Sequence, residues 1–152
     1  YRALYAMLSA QCARNEQDIV YSVRRMPLSA LGFDFSSCDE GQLTKVSIIA
    51  NKQLMDYLAL IIKRKNNREK PQAQWGRVDD RYISLTVSCP NLLLSDEQLS
   101  QAFSPSSPDV DMLILRQILR ETGSATNSYA SGIRLVKQDD VLAFVITLPA
   151  VS

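Results

Sequence analysis

The sequence predicts an α+β fold, a two-layer sandwich in which a mixed β-sheet is covered by helices on one face. Three observations support this fold class. The predicted strands in the first part of the chain are separated by helices, the chain closes with a strand–turn–strand pattern, and 46% of its residues are hydrophobic, enough to bury a core. A length of 152 residues corresponds to one ordinary domain.

The composition excludes several classes of function. A net charge of +1 gives no overall attraction to nucleic acid, so no nucleic-acid partner is expected. The chain has no histidine, which excludes Ser–His and Cys–His nucleophile pairs, histidine-ligated metals and a phosphohistidine within it. The widely spaced Cys12, Cys38 and Cys89 form no CxxC pair and are typical of reduced thiols in a cytosolic protein.

The first 26 residues predict one long helix. Apolar side chains such as Leu4, Leu8 and Val23 recur at helical steps, and Pro27 follows, where a helix usually stops. We therefore divide the chain into residues 1–26, a linker or the end of a dimerisation segment, and residues 27–152, the folded domain. The pattern leaves open whether the helix belongs to a coiled-coil arm or docks on the domain.

The middle of the chain predicts a strand, a helix and a loop. Residues 28–44 are irregular, with a short "FDF" alternation that could form an edge strand. The β-branched segment Lys45–Ile49 predicts a strand. Asn51 can cap the following helix, "NKQLMDYLALIIKRKNN" over residues 51–67, whose apolar positions recur at i, i+3 and i+4. The segment Lys63–Asp80 is polar and predicts a loop.

The last part of the chain predicts a strand, two helices and a hairpin. Arg81–Cys89 alternates and is rich in β-formers, and Ser95 is a plausible N-cap for a short helix. Asp109–Thr122 predicts a longer helix that stops at Gly123. The closing strands are Ile133–Lys137 and Val141–Leu148, and Asp139 and Asp140 are interpreted as turn residues.

Four segments, taken in order, resemble the ATP-binding domain of sensor histidine kinases, in the superfamily shared with gyrase. "VSIIANKQLMDYLALIIKRKN" is similar to the family's strand and asparagine-bearing helix. "ISLTVSCPNLLLSDEQLSQAFSP" is similar to its next strand, its Asp-x-Gly-x-Gly turn and its Phe-x-Pro element. "DVDMLILRQILRETGS" is similar to the second glycine box and its helix, and "GIRLVKQDDVLAFVITLP" to the closing hairpin. The resemblance covers about residues 45–149.

The resemblance also shows where the polar residues of the family's ATP site have been replaced. The two helix asparagines, the adenine-binding aspartate and the four glycines of the two turns fall on Leu60, Arg64, Cys89, Asn91, Leu93, Asp109 and Asp111. The asparagine that ligates magnesium corresponds to Arg64, and Asn67 is the one serious substitute under a different register. Asn66 would face elsewhere on the helix.

These replacements predict that ATP does not bind in the family's mode. A cysteine cannot accept from adenine as a carboxylate does, and arginine offers magnesium no acceptor. Asp109 and Asp111 are expected to cap their helix and to repel a triphosphate from its positive end. No cofactor and no metal are therefore expected, except ATP and magnesium under the alternative below.

Two polar segments have competing interpretations. The basic run Lys63–Lys70 is interpreted as a solvated helix end and loop rather than an anion site. Trp75, in the predicted loop, is either a small lid packed on the body of the domain or a contact for a partner.

The resemblance implies a degenerate, non-catalytic histidine-kinase-like domain that acts through protein contacts. Its expected partners are a kinase or a response regulator, with a homodimer formed through the N-terminal helix. Because the chain begins at Tyr1 rather than Met, we expect a piece of a longer protein, the cytoplasmic domain of a membrane-anchored sensor. The alternatives are an active kinase domain, with the basic run neutralising phosphates in a rebuilt site, and an unrelated α+β interaction module.

Overall fold

Strand β6 is the central strand of an antiparallel sheet in the computed structural model, which describes residues 23–151. Strand β4 pairs along one side of β6, while β5 and the end of β2 pair along the other side. Strands β1 and β3 complete the two margins of the sheet. The strands are β1 Val23–Pro27, β2 Ser47–Asn51, β3 Ala73–Arg77, β4 Tyr82–Cys89, β5 Gly132–Gln138 and β6 Val141–Val151.

Within residues 23–151, two long helices and two short ones accompany this sheet, together with a 3-10 turn at Leu28–Leu31. They are α1 Glu40–Leu43, α2 Lys52–Asn66, α3 Asp96–Gln101 and α4 Val110–Thr126. Helices α2 and α4 contact each other and several strands. The described residues therefore form the predicted α+β fold, although every described strand pair is antiparallel rather than mixed. The sole parallel contact among residues 23–151 is an isolated bridge between Asp34 and Gln72.

The core lies between the two long helices and one face of the sheet. On β4, Ile83, Leu85 and Val87 are fully buried, and the alternate residues Ser84 and Thr86 are half-buried on the opposite face. This alternation follows from the two-residue period of a strand. The core side chains of α2 and α4 pack against this same face, and the largest are Met55, Leu58, Ile61, Ile62, Met112, Ile114, Leu115 and Ile118.

The capping residues of the helices and the turn residues of the closing hairpin lie where the sequence predicts them. The Asn51 side chain accepts a hydrogen bond from the Leu54 backbone N–H at 3.1 Å and begins α2. Ser95 and Gln98 form a reciprocal capping box at the start of α3. In the closing hairpin, Asp139 and Asp140 have φ values of 50° and 66°, which confirms them as the two turn residues.

The predicted helix over residues 1–26 is wrong at its carboxyl end. Val23–Pro27 forms strand β1, in which Arg25 lies opposite Ile49 of β2. Val23 and Met26 fit a helical step, but a single interval of three residues is too little to establish a helix. The rest of that helix prediction falls outside the described residues.

The predicted loop Lys63–Asp80 is wrong at Ala73–Arg77, which forms strand β3. Helix α2 ends at Asn66, within the predicted helix over residues 51–67, and Asn67 follows it with a φ of 54°. The "FDF" segment makes a single bridge to Gln72 rather than a full edge strand. Strand β3 is mostly exposed, so it lacks the apolar alternation from which a half-buried strand is recognised.

Gly123 does not end helix α4. The helix continues to Thr126 and ends at Asn127, which has a left-handed φ of 53°. A Cβ atom at Gly123 would lie 2.9 Å from the Ser128 carbonyl oxygen, which is closer than such atoms pack. Glycine is therefore required here because the chain returns closely past the helix.

Candidate functional site: a charge cluster between helices α2 and α4

The start of helix α4 is capped by its own first residues. The Asp109 carboxylate accepts a hydrogen bond from the Asp111 backbone N–H at 3.0 Å, which satisfies one of the free donors at this end. The prediction that Asp109 caps the helix is confirmed. Asp111 does not cap; its carboxylate instead faces the end of helix α2.

Two consecutive basic residues of α2 meet these aspartates. Arg64 Nη2 lies 2.7 Å from Asp111 Oδ1, and Lys65 Nζ lies 2.5 Å from Asp109 Oδ2 and 3.7 Å from Asp111 Oδ2. We refer to Arg64, Lys65, Asp109 and Asp111 as the charge cluster. It sets cations at the negative end of α2 and anions at the positive end of α4, so each helix dipole is complemented.

The cluster is partly withdrawn from water. The Asp111 side chain is 9% exposed and that of Lys65 is 19% exposed, whereas Arg64 is half-exposed. Charges that lose hydration need close partners, and each of these has one. The cluster is therefore a built contact between two helices rather than a chance pairing of mobile surface chains.

Asn66 connects the same end of α2 to the sheet. Its side chain is fully buried, and Nδ2 donates to the Ser88 carbonyl oxygen of β4. The Asn66 carbonyl oxygen accepts from Asn91 Nδ2 at 2.9 Å. The contact with Ser88 fixes the orientation of the Asn66 amide, because the reversed orientation would place Oδ1 against the Ser88 carbonyl oxygen, and both atoms are acceptors. The Oδ1 atom then has no hydrogen-bond partner among the described residues.

Cys89 ends strand β4 beside this junction. Its side chain is fully buried, and burial raises the pKa of the thiol, an effect that the nearby Lys65 charge only partly opposes. The residue therefore stays protonated near neutral pH and is a poor nucleophile. It also cannot accept hydrogen bonds as a carboxylate would.

The structure brings five of the seven predicted positions together. Arg64, Asp109 and Asp111 form ion pairs, Asn91 bonds to the end of α2, and Cys89 follows the serine that Asn66 contacts. The two remaining positions are exposed leucines. Leu60, 55% exposed, lies one helical turn before Arg64, and Leu93, 85% exposed, lies two residues after Asn91.

Lys65 and Asn66 belong to this site but were not predicted for it. The interpretation of Lys63–Lys70 as a solvated run is wrong for Lys65, and Lys63 also lies over the ring of Phe33, at 5.9 Å. It holds for Arg68 and Lys70, which are exposed. Asn67, the substitute considered for Arg64, lies at the helix end in the left-handed conformation and is exposed. An interval of more than 40 residues separates Lys65 from Asp109, so no local pattern signals their contact.

The charged side chains of this arrangement are paired with one another across the two helices. No group of three metal-ligating side chains occurs within residues 23–151. The carboxylates at the start of α4 accept from lysine and arginine, so they are engaged as partners rather than free as bases.

Comparison with known proteins does not place the chain in a family. No family model matches it, and no curated protein matches it either. Within the part of the chain that the structure describes, no helix has both the length and the apolar character needed to cross a bilayer.

Proposed function

We propose that this chain is a degenerate histidine-kinase-like ATPase domain that binds no nucleotide at the start of α4 and acts through protein contacts. The setting that we propose is the cytoplasmic part of a membrane-anchored signalling protein. Its partners would be a kinase or a response regulator, and residues 1–26 would support a homodimer. The supporting observations are the ordered sequence resemblance, the α+β fold and the charge cluster.

The observation that carries the proposal is the ion pairing at the start of α4. A helix N-terminus is a ready anion site because its free N–H groups and its dipole favour negative charge. Here Asp109 already accepts from that end, and Asp111 is neutralised by Arg64 and Lys65. A phosphate group would have to displace two carboxylates and separate them from their cations.

The same contacts oppose a rebuilt nucleotide site. In that alternative, the basic residues after Ile62 would neutralise phosphates in place of magnesium. Arg64 and Lys65 are instead committed to Asp111 and Asp109. A cation already paired at 2.5–2.7 Å gains little by exchanging one anion for another.

Two exposed leucines support a role in protein contact. Leu60 and Leu93 occupy positions where the resembling family has asparagine and glycine, and both project large apolar side chains into solvent. Leu60 precedes Arg64 on α2, and Leu93 follows Asn91, which bonds to the end of α2. Apolar side chains beside a polar rim are a common composition of protein interfaces.

Thermal unfolding in the presence of nucleotide tests the proposal. A ligand at one hundred times its Kd stabilises a protein by about 2.7 kcal/mol, which raises Tm by about 5 °C or more for a chain of this size. We expect ATP to leave Tm unchanged with magnesium and without it. Equal ionic strength of sodium chloride and inorganic pyrophosphate serve as controls for nonspecific anion effects.

Each outcome of this experiment has a defined meaning. A rise in Tm specific to Mg·ATP would contradict the proposal and favour an active domain with an atypical site. A rise with ATP that is equal with and without magnesium would favour the rebuilt site, in which the basic residues replace the metal. An unchanged Tm with all three anions supports the proposed loss of the nucleotide site.

A further inference from the structure

Strand β3 presents an open edge to solvent, and none of its residues belongs to the charge cluster. The register between β3 and β4 makes Gln72 and Val78 partners of Ser88 and Tyr82 through backbone hydrogen bonds. Residues at odd positions of β3 therefore direct their N–H and C=O groups away from β4. Within residues 23–151, the backbone groups of Trp75 and Arg77 on this side have no hydrogen-bond partner.

The chain itself shows that this edge accepts an extended strand. The Asp34 N–H donates to the Pro71 carbonyl oxygen at 2.9 Å, and the Ala73 N–H donates to the Asp34 carbonyl oxygen at 2.9 Å. This is a short parallel pairing. It ends at once, because the Asp34 carboxylate accepts from the Ser36 N–H and turns the chain away. The edge is thus covered at Ala73 and open from Trp75 onward.

A groove runs beside the open part of the edge. It lies between residues 37–46 and residues 74–77 and has a volume of about 620 Å³. We refer to it as the β3 groove. The half-buried Trp75 ring packs against the margin of the core and lines the groove. A groove with unpaired backbone groups along one wall and an aromatic ring in it suits an extended peptide, which adds main-chain hydrogen bonds to a sheet.

The charges of the β3 groove indicate the composition of that peptide. Lys45 and Arg77 line it, and neither forms an ion pair within the described residues. Arg77 makes a hydrogen bond only to the Asp79 carbonyl oxygen, at 3.1 Å. The acidic residue of the lining, Asp39, accepts a hydrogen bond from the Gly41 N–H as the N-cap of α1. The lining therefore holds two cations and one carboxylate, and its net formal charge is positive.

We propose that the β3 groove binds an extended acidic peptide segment of a partner protein, which pairs with the open edge at Trp75 and Arg77. In this complex the peptide continues the line that the Asp34 segment begins. Its carboxylates approach Lys45 and Arg77, and a side chain between them contacts Trp75. This binding site is separate from the charge cluster and does not depend on the function proposed above.

The chain contains a reporter for this site, because Trp75 is its only tryptophan. The probe is a blocked peptide of sequence Asp-Val-Thr-Val-Asp, chosen for its β-propensity and its terminal charges. Titration at low salt is expected to change the Trp75 emission with saturation, in the micromolar to millimolar range typical of short peptides. Two control peptides are Lys-Val-Thr-Val-Lys and the acidic peptide N-methylated at its central residue, which removes a main-chain donor.

Matched variants test the two parts of the proposal separately. Arg77→Glu should weaken binding of the acidic peptide by about tenfold or more at low salt, because it replaces attraction with repulsion. Lys137→Glu, an exposed change of the same kind on β5, should leave binding within about twofold. The N-methylated peptide should bind at least about tenfold more weakly than its parent if strand pairing contributes.

Three results would overturn the proposal. The first is no saturable change in emission up to about 2 mM of the acidic peptide. The second is equal binding of the acidic and basic peptides. The third is self-association of the chain in sedimentation that Arg77→Glu abolishes, which would mean that a second copy occupies this edge. Because Arg77 is exposed, the variant is expected to fold, and circular dichroism checks this.

Discussion

The charge cluster and the β3 groove carry similar charges but use them differently. In the cluster, Arg64 and Lys65 are matched by Asp109 and Asp111, and the helix end that could attract an anion is filled by the chain itself. In the groove, Lys45 and Arg77 form no ion pair among the described residues. The outward backbone groups of Trp75 and Arg77 beside them have no hydrogen-bond partner there.

This difference separates charge that stabilises a fold from charge that is available to a ligand. A basic residue in a sequence indicates a ligand site only when the fold leaves it without an internal partner. By this criterion, the largely buried Lys65 of the basic run stabilises the fold and is not available to a ligand. Lys45 and Arg77 of the β3 groove are the better candidates for binding a ligand.

Cys38 and Cys89, the two cysteines within residues 23–151, give the largest expected contrast between the regions. Cys89 lies fully buried beside the cluster, and burial raises the pKa of its thiol. Cys38 is half-buried and lines the groove. We expect iodoacetamide at pH 8 to alkylate Cys38 at least about 100-fold faster, since a reaction at Cys89 requires local opening of about 3 kcal/mol as well as a less accessible thiolate.

Peptide mapping by mass spectrometry over time measures both rates in one sample. Alkylation in urea provides the control, because the two thiols should then react at similar rates. Equal rates in the native protein would contradict the buried environment described for Cys89.

Asp111→Ala should give the next largest effect. The change leaves Arg64 without a partner and leaves the largely buried Lys65 with only Asp109. We expect the free energy of unfolding to fall by about 2 kcal/mol, as measured by urea denaturation. The matched control is Asp56→Ala, which breaks the exposed pair with Lys52 and should cost less than about 0.5 kcal/mol. Equal losses in the two variants would show that the cluster is an ordinary surface pairing.

Removing both negative charges should convert the filled site toward an open one. In Asp109→Asn with Asp111→Asn, Arg64 and Lys65 become free cations beside the start of α4. We expect the double variant to bind inorganic pyrophosphate at least about fivefold more tightly than the parent chain does, at low salt. Calorimetric titration of both proteins measures the ratio. Unchanged affinity would mean that something other than these carboxylates excludes phosphate.

The smallest expected effect is a pH dependence of stability that arises from Asp34, which pairs with the start of strand β3. Hydrogen bonds from Ser36 hold the pKa of Asp34 below its ordinary value of 3.8. A lowered folded-state pKa means that the ionised carboxylate stabilises the fold above that ordinary value, and that this contribution is lost as the pH falls through the folded-state pKa. The stability difference between the parent chain and Asp34→Ala should therefore be constant near pH 6 and shrink below pH 3.8.

Urea unfolding at a series of pH values from neutral to acid measures that difference. Because Asp34 is exposed at the surface, we expect only a shallow dependence. A difference that grows as the pH falls would contradict the assigned hydrogen bonds.

Local sequence signals were sufficient for part of this structure. The cap at Asn51, the capping box at Ser95 and the two aspartates of the hairpin turn each depend on neighbours within a few residues. Such signals can be recognised in a single sequence because the hydrogen bonds and backbone conformations that they require involve residues close together in the chain. Asp109 was recognised as a cap for the same reason.

The remaining features depend on distant parts of the chain. Strand β3 is defined by its pairing with β4, and its exposed residues carry no apolar alternation. Gly123 faces the backbone of Ser128, a close approach that a helical pattern does not reveal. The role of Lys65 depends on a contact with Asp109 across 44 positions. Side chains become partners here through packing of α2 against α4, which a local pattern cannot specify.

The most direct test of the central claim is a calorimetric titration of the unmodified chain with Mg·ATP. If the charge cluster fills the start of α4, the titration should give only the heat of dilution, at nucleotide concentrations up to about 1 mM. Saturable binding with a Kd in the micromolar range would contradict the account. It would mean that a nucleotide phosphate reaches a helix end that is already capped by Asp109, beside the Asp111 carboxylate that pairs with Arg64 and Lys65.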